Sequence, residues 1–170
     1  MGKPFSVNTA RFDPYKNFRF LVFFGQSTTP VAGITKVTGG LKRSTDVIDY
    51  REGGNMIIRK GAGRTKYEPV TMERGVTHDK DFSDWADAAQ VLESGQPVTS
   101  LTNLRRQLRI ELLNEAGQPV HRYILHRCWV SEFQALSDLD AGGNAYVIEH
   151  IKIEHEGWEH DLSLPEPKEI

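Results

Sequence analysis

A mainly antiparallel β domain carrying one α-helix is the fold class predicted by this 170-residue sequence. Three observations point to it. Apolar residues alternate with period two in several segments, one segment alone has a convincing helical period, and the strand–helix–strand alternation of a parallel sheet is missing. About seven strands and one helix, in the order below, suggest a sandwich or barrel closed by the helix.

Phe18, Phe20, Val22 and Phe24 alternate with Asn17, Arg19, Leu21 and Phe23 and stop at Gly25. Such a nearly two-sided apolar strand is expected at the centre of a sheet. A short strand, VAGITKV, follows the turn-like QSTTP, and after Gly39-Gly40 STDVIDYRE reads as a strand with polar residues on both faces. GGNMIIRKGAGRTK is expected as a loop, and YEPVTMERG as a strand whose Pro69 suggests an edge or a bulge. In DFSDWADAAQVLESG, Phe82, Trp85, Ala86, Ala89 and Leu92 form one helical stripe, with Asp81 placed to cap the start and Gly95 to close the end. Leu104, Leu108, Ile110 and Leu112 alternate with Arg105, Gln107, Arg109 and Glu111 in the next strand. After the turn EAGQP, HRYILHRCWVSEF returns as its long partner, and the loop SDLDAGGN leads to a last strand from Ala145.

Hydrophobic residues at 38% and charged residues at 26% describe a globular chain able to bury a core, and one domain suits the length. A formal net charge of -2 argues against a dedicated nucleic-acid binder, which neutralises phosphates with many Lys and Arg. The single Cys128 cannot form an internal disulfide and reads as a buried small hydrophobe. The N-terminal MGKPFSVNTARFDPYK has no apolar core of a signal peptide, so synthesis and folding in the cytosol are expected.

Three stretches invite a chemical reading. IEHIKIEHEGWEHD repeats Glu-His as Glu149-His150, Glu154-His155 and Glu159-His160. In a strand, a spacing of five puts successive histidines on opposite faces, so one metal cannot easily collect them, and charge-paired residues on a solvated or interfacial strand are expected. His78, Asp79 and Asp81 resemble a metal cluster, but acidic residues just before a helix also serve its N-terminal dipole. GGNMIIRKGAGRTK lacks the G-x-x-x-x-G-K-[ST] order of a phosphate loop. What it offers is Met56, Ile57 and Ile58 beside Arg59, Lys60, Arg64 and Lys66, an apolar and basic surface suited to a partner. No catalytic, cofactor-binding or metal-binding residue is assigned.

Taken together, RFDPYKNFRF, STDVIDYREGGN with RKGAGRTKYEPVTMERGVTHD, FSDWA, and RCWVSEFQALSDLDA followed by IEHIKIEHEGWE resemble the inner-tube proteins of contractile injection systems. These are relatives of the tail-tube proteins of contractile-tailed bacteriophages and, more remotely, of the Hcp tube protein of type VI secretion. The resemblance spans residues 11 to 161, after a lead of residues 1–10 and before an end expected to be flexible, residues 162–170. It implies a structural, non-enzymatic role without a cofactor. Hexameric rings of a β-barrel-like domain stack into a hollow tube inside a contractile sheath, and the tube is propelled through a target membrane to deliver cargo. Implied partners are the sheath protein, baseplate and tube-terminator proteins, and protein cargo in the lumen, with nucleic acid required only in a phage tail. In that family the corresponding long loop contributes to subunit and ring-to-ring contacts. The resemblance therefore assigns such contacts to Gly53, Gly54, Asn55, Met56, Ile57, Ile58, Arg59, Lys60, Arg64 and Lys66. Two alternatives stand beside it: a secreted Hcp-like tube protein that also chaperones cargo, and a metal-dependent hydrolase using His78, Asp79 and the Glu-His strand.

Overall fold

The structure, a computed structural model, describes residues 13–54, 56–89 and 104–168. Its order is β1 (Phe20–Phe24), β2 (Ile34–Thr38), β3 (Arg43–Tyr50), β4 (Arg59–Tyr67), β5 (Val70–Gly75), α1 (Asp81–Asp87), β6 (Arg106–Leu113), β7 (Pro119–Gln134), β8 (Ile148–Glu154) and β9 (Trp158–His160). All pairings are antiparallel. Seven strands form one sheet in the order β1-β6-β7-β8-β5-β2, with β9 also on β7, while β3 and β4 form a separate two-stranded ribbon.

Period-two burial makes the core. In β5, Val70, Met72 and Arg74 point inward, and in β8, Glu149, Ile151 and Ile153 do the same. The register sets Val70 opposite Ile153, Met72 opposite Ile151 and Arg74 opposite Glu149, so two apolar pairs and one ion pair share a row. Val22, Leu108, Ile110, Leu125, Cys128 and Val130 extend this core across the sheet.

The sixteen residues of β7 carry three register irregularities, one of them a bend at Arg127, which has the positive φ of 52°. Opposite the bend, Arg106 pairs with Cys128 but Leu108 pairs with Leu125, so β7 carries one residue more than β6. This is a β-bulge, and it moves the buried positions from Leu125 to Cys128 and Val130. The first half of β7 lies between β6 and β9, and the second half pairs with β8.

Helix α1 buries Phe82, Trp85 and Ala86. Seven residues are too few for an isolated helix in water, so tertiary burial supplies its stability. The Trp85 ring packs edge-on to Phe24 at 4.7 Å, and its Nε1 donates to the Leu104 carbonyl at 3.0 Å. Asp81 lies inside the first turn, not before it. The residue preceding the helix is Lys80, and the Asp79 carboxylate accepts the Asp81 N–H at 2.8 Å. Leu92 and Gly95, expected to continue and end this helix, lie outside the described residues.

Other expectations are corrected. β1 is the outermost strand of its sheet, not a central one. Both of its faces are covered by side chains: the Arg109 guanidinium lies 4.2 Å from the Phe23 ring on one, while Phe24 meets the helix on the other. β5 is interior, between β8 and β2, and Pro69 only precedes it. There the chain passes Gly39, whose φ of 90° suits glycine and whose added Cβ would collide with the Pro69 carbonyl. Finally, the basic stretch expected as a loop is largely strand β4.

Candidate assembly interface

Thr45, Val47, Ile48 and Tyr50 give β3 the β-branched and aromatic character of a strand. β4, RKGAGRTKY, has little such character and is held by its partner. Thr45 and Thr65 hydroxyls meet at 3.1 Å, Lys66 Nζ lies 3.3 Å from an Asp46 carboxylate oxygen, and Arg59 lies 4.0 Å from Glu52. A Cβ on Gly63 would stand 3.0 Å from the Asp46 carbonyl and 3.2 Å from Ile48 Cγ1, so glycine lets the strands close. The base of the ribbon is fixed to the domain. Glu68 N–H donates to the Lys42 carbonyl at 3.1 Å, His155 Nε2 lies 2.9 Å from the Glu68 carbonyl, and the His155 ring packs on Tyr67 at 5.7 Å.

Beyond that base the ribbon is exposed on both faces. Val47, Ile48 and Tyr50 are all more than half exposed, and at the tip Met56 is 90% exposed and Ile57 70%. Gly53 and Gly54 form the turn, Gly54 with a φ of 89°. Asn55 lies outside the described residues. Arg59, Lys60, Arg64 and Lys66 are exposed, but as strand residues; pairing with β3 supplies the order that their sequence alone does not show. From Arg43 to Tyr67 six basic residues face three acidic ones, so the ribbon is net basic.

A second exposed apolar surface was not anticipated. The segment between β7 and β8 exposes Leu136, Leu139 and, at 92%, Tyr146, alongside Asp138 and Asp140. Three large apolar side chains in a loop were the available signal, and the turn-forming glycines drew attention from it.

The candidate chemical residues separate. Glu149 is buried against Arg74 at 2.5 Å, His150 meets Glu132 at 3.3 Å, Glu154 meets Ser131 at 3.5 Å, and Glu159 meets His126 at 3.3 Å. His160 faces His121 at 3.0 Å. Each member of the run thus has its own partner, while Glu149 and His155 are buried, contrary to a wholly solvated strand. Asp79 lies 3.4 Å from Arg74 Nη1, and His78 is exposed. Among the described residues no group of three His, Cys, Asp or Glu side chains is placed to hold a metal. Burial pushes the Cys128 thiol up to about 12, against a smaller opposing effect of its hydrogen bond with the Leu108 backbone.

A seven-stranded antiparallel sheet with outer strands at both ends thus carries a separate ribbon that is exposed, apolar at its tip and net basic. The model of the T4-like virus tail tube protein gp19 family matches residues 16–159, and the chain belongs to that family. Comparison with curated protein sequences finds no match. Among solved structures, a chain of the anti-feeding prophage baseplate is similar at 26% identity and a TM-score of 0.67, over 87% of this chain and 95% of that one. A chain of the sheath-tube complex of the extracellular contractile injection system PVC, in its extended state, shares 22% identity with a TM-score of 0.73, over 92% and 99%. One in the tube-terminating cap of the anti-feeding prophage shares 22% with a TM-score of 0.74, over 94% and 95%. The chain is thus a structural protein of the tail-tube kind.

Proposed function

We propose that six copies of this chain close into a ring, that rings stack through the β3–β4 ribbon into a rigid hollow tube, and that the tube works mechanically inside a contractile sheath. Terminator and baseplate proteins meet its ends, protein cargo occupies its lumen, and no catalytic step is required. The observation that carries this reading is the ribbon itself. Two strands alone are marginal in water, yet this pair projects with an apolar tip and a basic flank. Burying Met56, Ile57 and Ile58 against a neighbour recovers roughly 1.5–3 kcal/mol per large side chain. The strands β1 and β2 end the sheet and offer ladder edges for lateral joining, that of β1 partly used by the bond from the Val31 N–H to the Val22 carbonyl. The similar chain from a baseplate described as six-fold symmetrised supports the ring number.

Electron microscopy of the purified chain tests this. Rings of six and stacked tubes are expected; Met56, Ile57 and Ile58 changed together to Ser should leave the circular dichroism of the subunit intact and abolish the tubes. A loss of about 1 kcal/mol per ribbon is multiplied by the number of copies at each ring interface, provided the losses add. Normal tubes from the triple variant would remove the ribbon from the stacking contact, and a persistent monomer from the unaltered chain would overturn the tube reading.

A further inference from the structure

After β9 the chain turns at Asp161. Its carboxylate accepts hydrogen bonds from the Ser163 hydroxyl at 2.6 Å and the Ser163 N–H at 2.9 Å, and an Arg122 N–H at 3.2 Å. The chain then runs to Glu166, whose Oε1 accepts the Tyr15 hydroxyl at 2.9 Å. Tyr15, His121, His160, Asp161, Leu162 and Leu164 line a cleft of about 350 Å³ beside this segment. Within it, His121 Nδ1 and His160 Nε2 lie 3.0 Å apart. Tyr15 meets the His121 ring edge-on at 5.3 Å, and Tyr123 stacks on His160 at 4.8 Å.

One proton fits between those two nitrogens. With both rings neutral, one donates and the other accepts, and a single imidazolium still donates to a neutral partner. Two imidazolium ions would set N–H against N–H and positive against positive, so the contact must open. We propose that His121 and His160 form a proton-operated latch that holds residues 161–168 against β7 at neutral pH and releases them in mildly acidic solution.

The surrounding charges leave the latch little compensation. Asp161, from the C-terminal segment, is committed to Ser163 and Arg122, and those bonds hold its carboxyl below the usual range. Arg122 of β7 is shared with Glu111 of β6, at 2.8 Å. Glu166 is the carboxylate acting on His121, and it is engaged by Tyr15 of the N-terminal segment. Burial first, and then the neighbouring His160, lower His121 from its ordinary value, while Glu166 opposes them. The sign follows: a singly protonated pair keeps its bond, so the latch is complete above about pH 6.5 and opens as pH falls through the depressed value of His121 in the folded protein, when both rings carry a proton.

Hydrogen-exchange mass spectrometry of the full-length chain, corrected for intrinsic exchange, tests the latch through peptides spanning residues 161–168. Protection should fall by about tenfold between about pH 7.5 and about pH 5. His121→Phe and His160→Phe should each remove this pH response, with far-ultraviolet circular dichroism confirming the fold, and Glu166→Gln should retain it. Equal protection at both pH values in the unaltered chain overturns the proposal. So does a response that survives in both histidine variants, or one abolished by Glu166→Gln alone, which would assign the switch to the carboxylate.

Discussion

Arg74 is fully buried, and three groups make that tolerable: Glu149 at 2.5 Å, the Asp79 backbone carbonyl at 2.8 Å and the Phe82 ring 4.1 Å beneath the guanidinium. It ties β5 to β8 and to the approach of the helix at once. Replacing it with Met strands a buried carboxylate, so Arg74→Met should cost about 3–5 kcal/mol in urea denaturation of the soluble subunit. Arg74→Met with Glu149→Leu should recover most of that loss, because the uncompensated charge goes with it. Part of this was legible: the period-two pattern of VTMERG puts Arg74 on the face of Val70 and Met72. Its partner lies 75 residues away in sequence, beyond the reach of any local pattern. Cys128 was fully legible as a buried small residue. With its thiol pushed up to about 12, it should resist iodoacetamide at about pH 8 in the folded protein and react on unfolding, as mass spectrometry would record.

Helix α1 was read correctly at Phe82, Trp85 and Ala86 but too long, since it ends at Asp87 and leaves Ala89 in the following turn, and wrongly at its cap, because Asp79 and Asp81 both suit an N-terminus and only the backbone path chooses between them. The consequence of the stripe is measurable. Trp85→Ala removes a fully buried ring that packs on Phe24 and bonds Leu104, and should lower stability by about 3–5 kcal/mol in a denaturant titration. An unchanged midpoint would exclude Trp85 from the core. The ribbon teaches the opposite lesson. Its exposed apolar and basic residues were legible from composition, but their secondary structure was not, since a run of Gly, Ala and basic residues has weak strand preference. Cross-strand pairs with Asp46, Ile48 and Glu52 decide that β4 is a strand, and those partners belong to another part of the sequence.

Alternation in the strands gave the fold class of the whole molecule, while strand order came from contacts across long separations. The edge position of β1 shows why: the helix covers one face of that strand at Phe24 and Arg109 covers the other at Phe23, which imitates a central location. The Glu-His run shows the same limit from the other direction, for its five-residue spacing correctly separates the histidines but cannot reveal that His160 meets His121. The bulge at Arg127 has a mechanical consequence for the domain. Because β7 continues through that bend without a loop, one unbroken backbone is bonded to β6 and β9 along its first half and to β8 along its second. Ladder hydrogen bonds run across the strands, so a pull along β7 loads many of them together, as in a lap joint, instead of opening them one after another like a zip. The strand is a tie-bar that joins the two parts of the sheet.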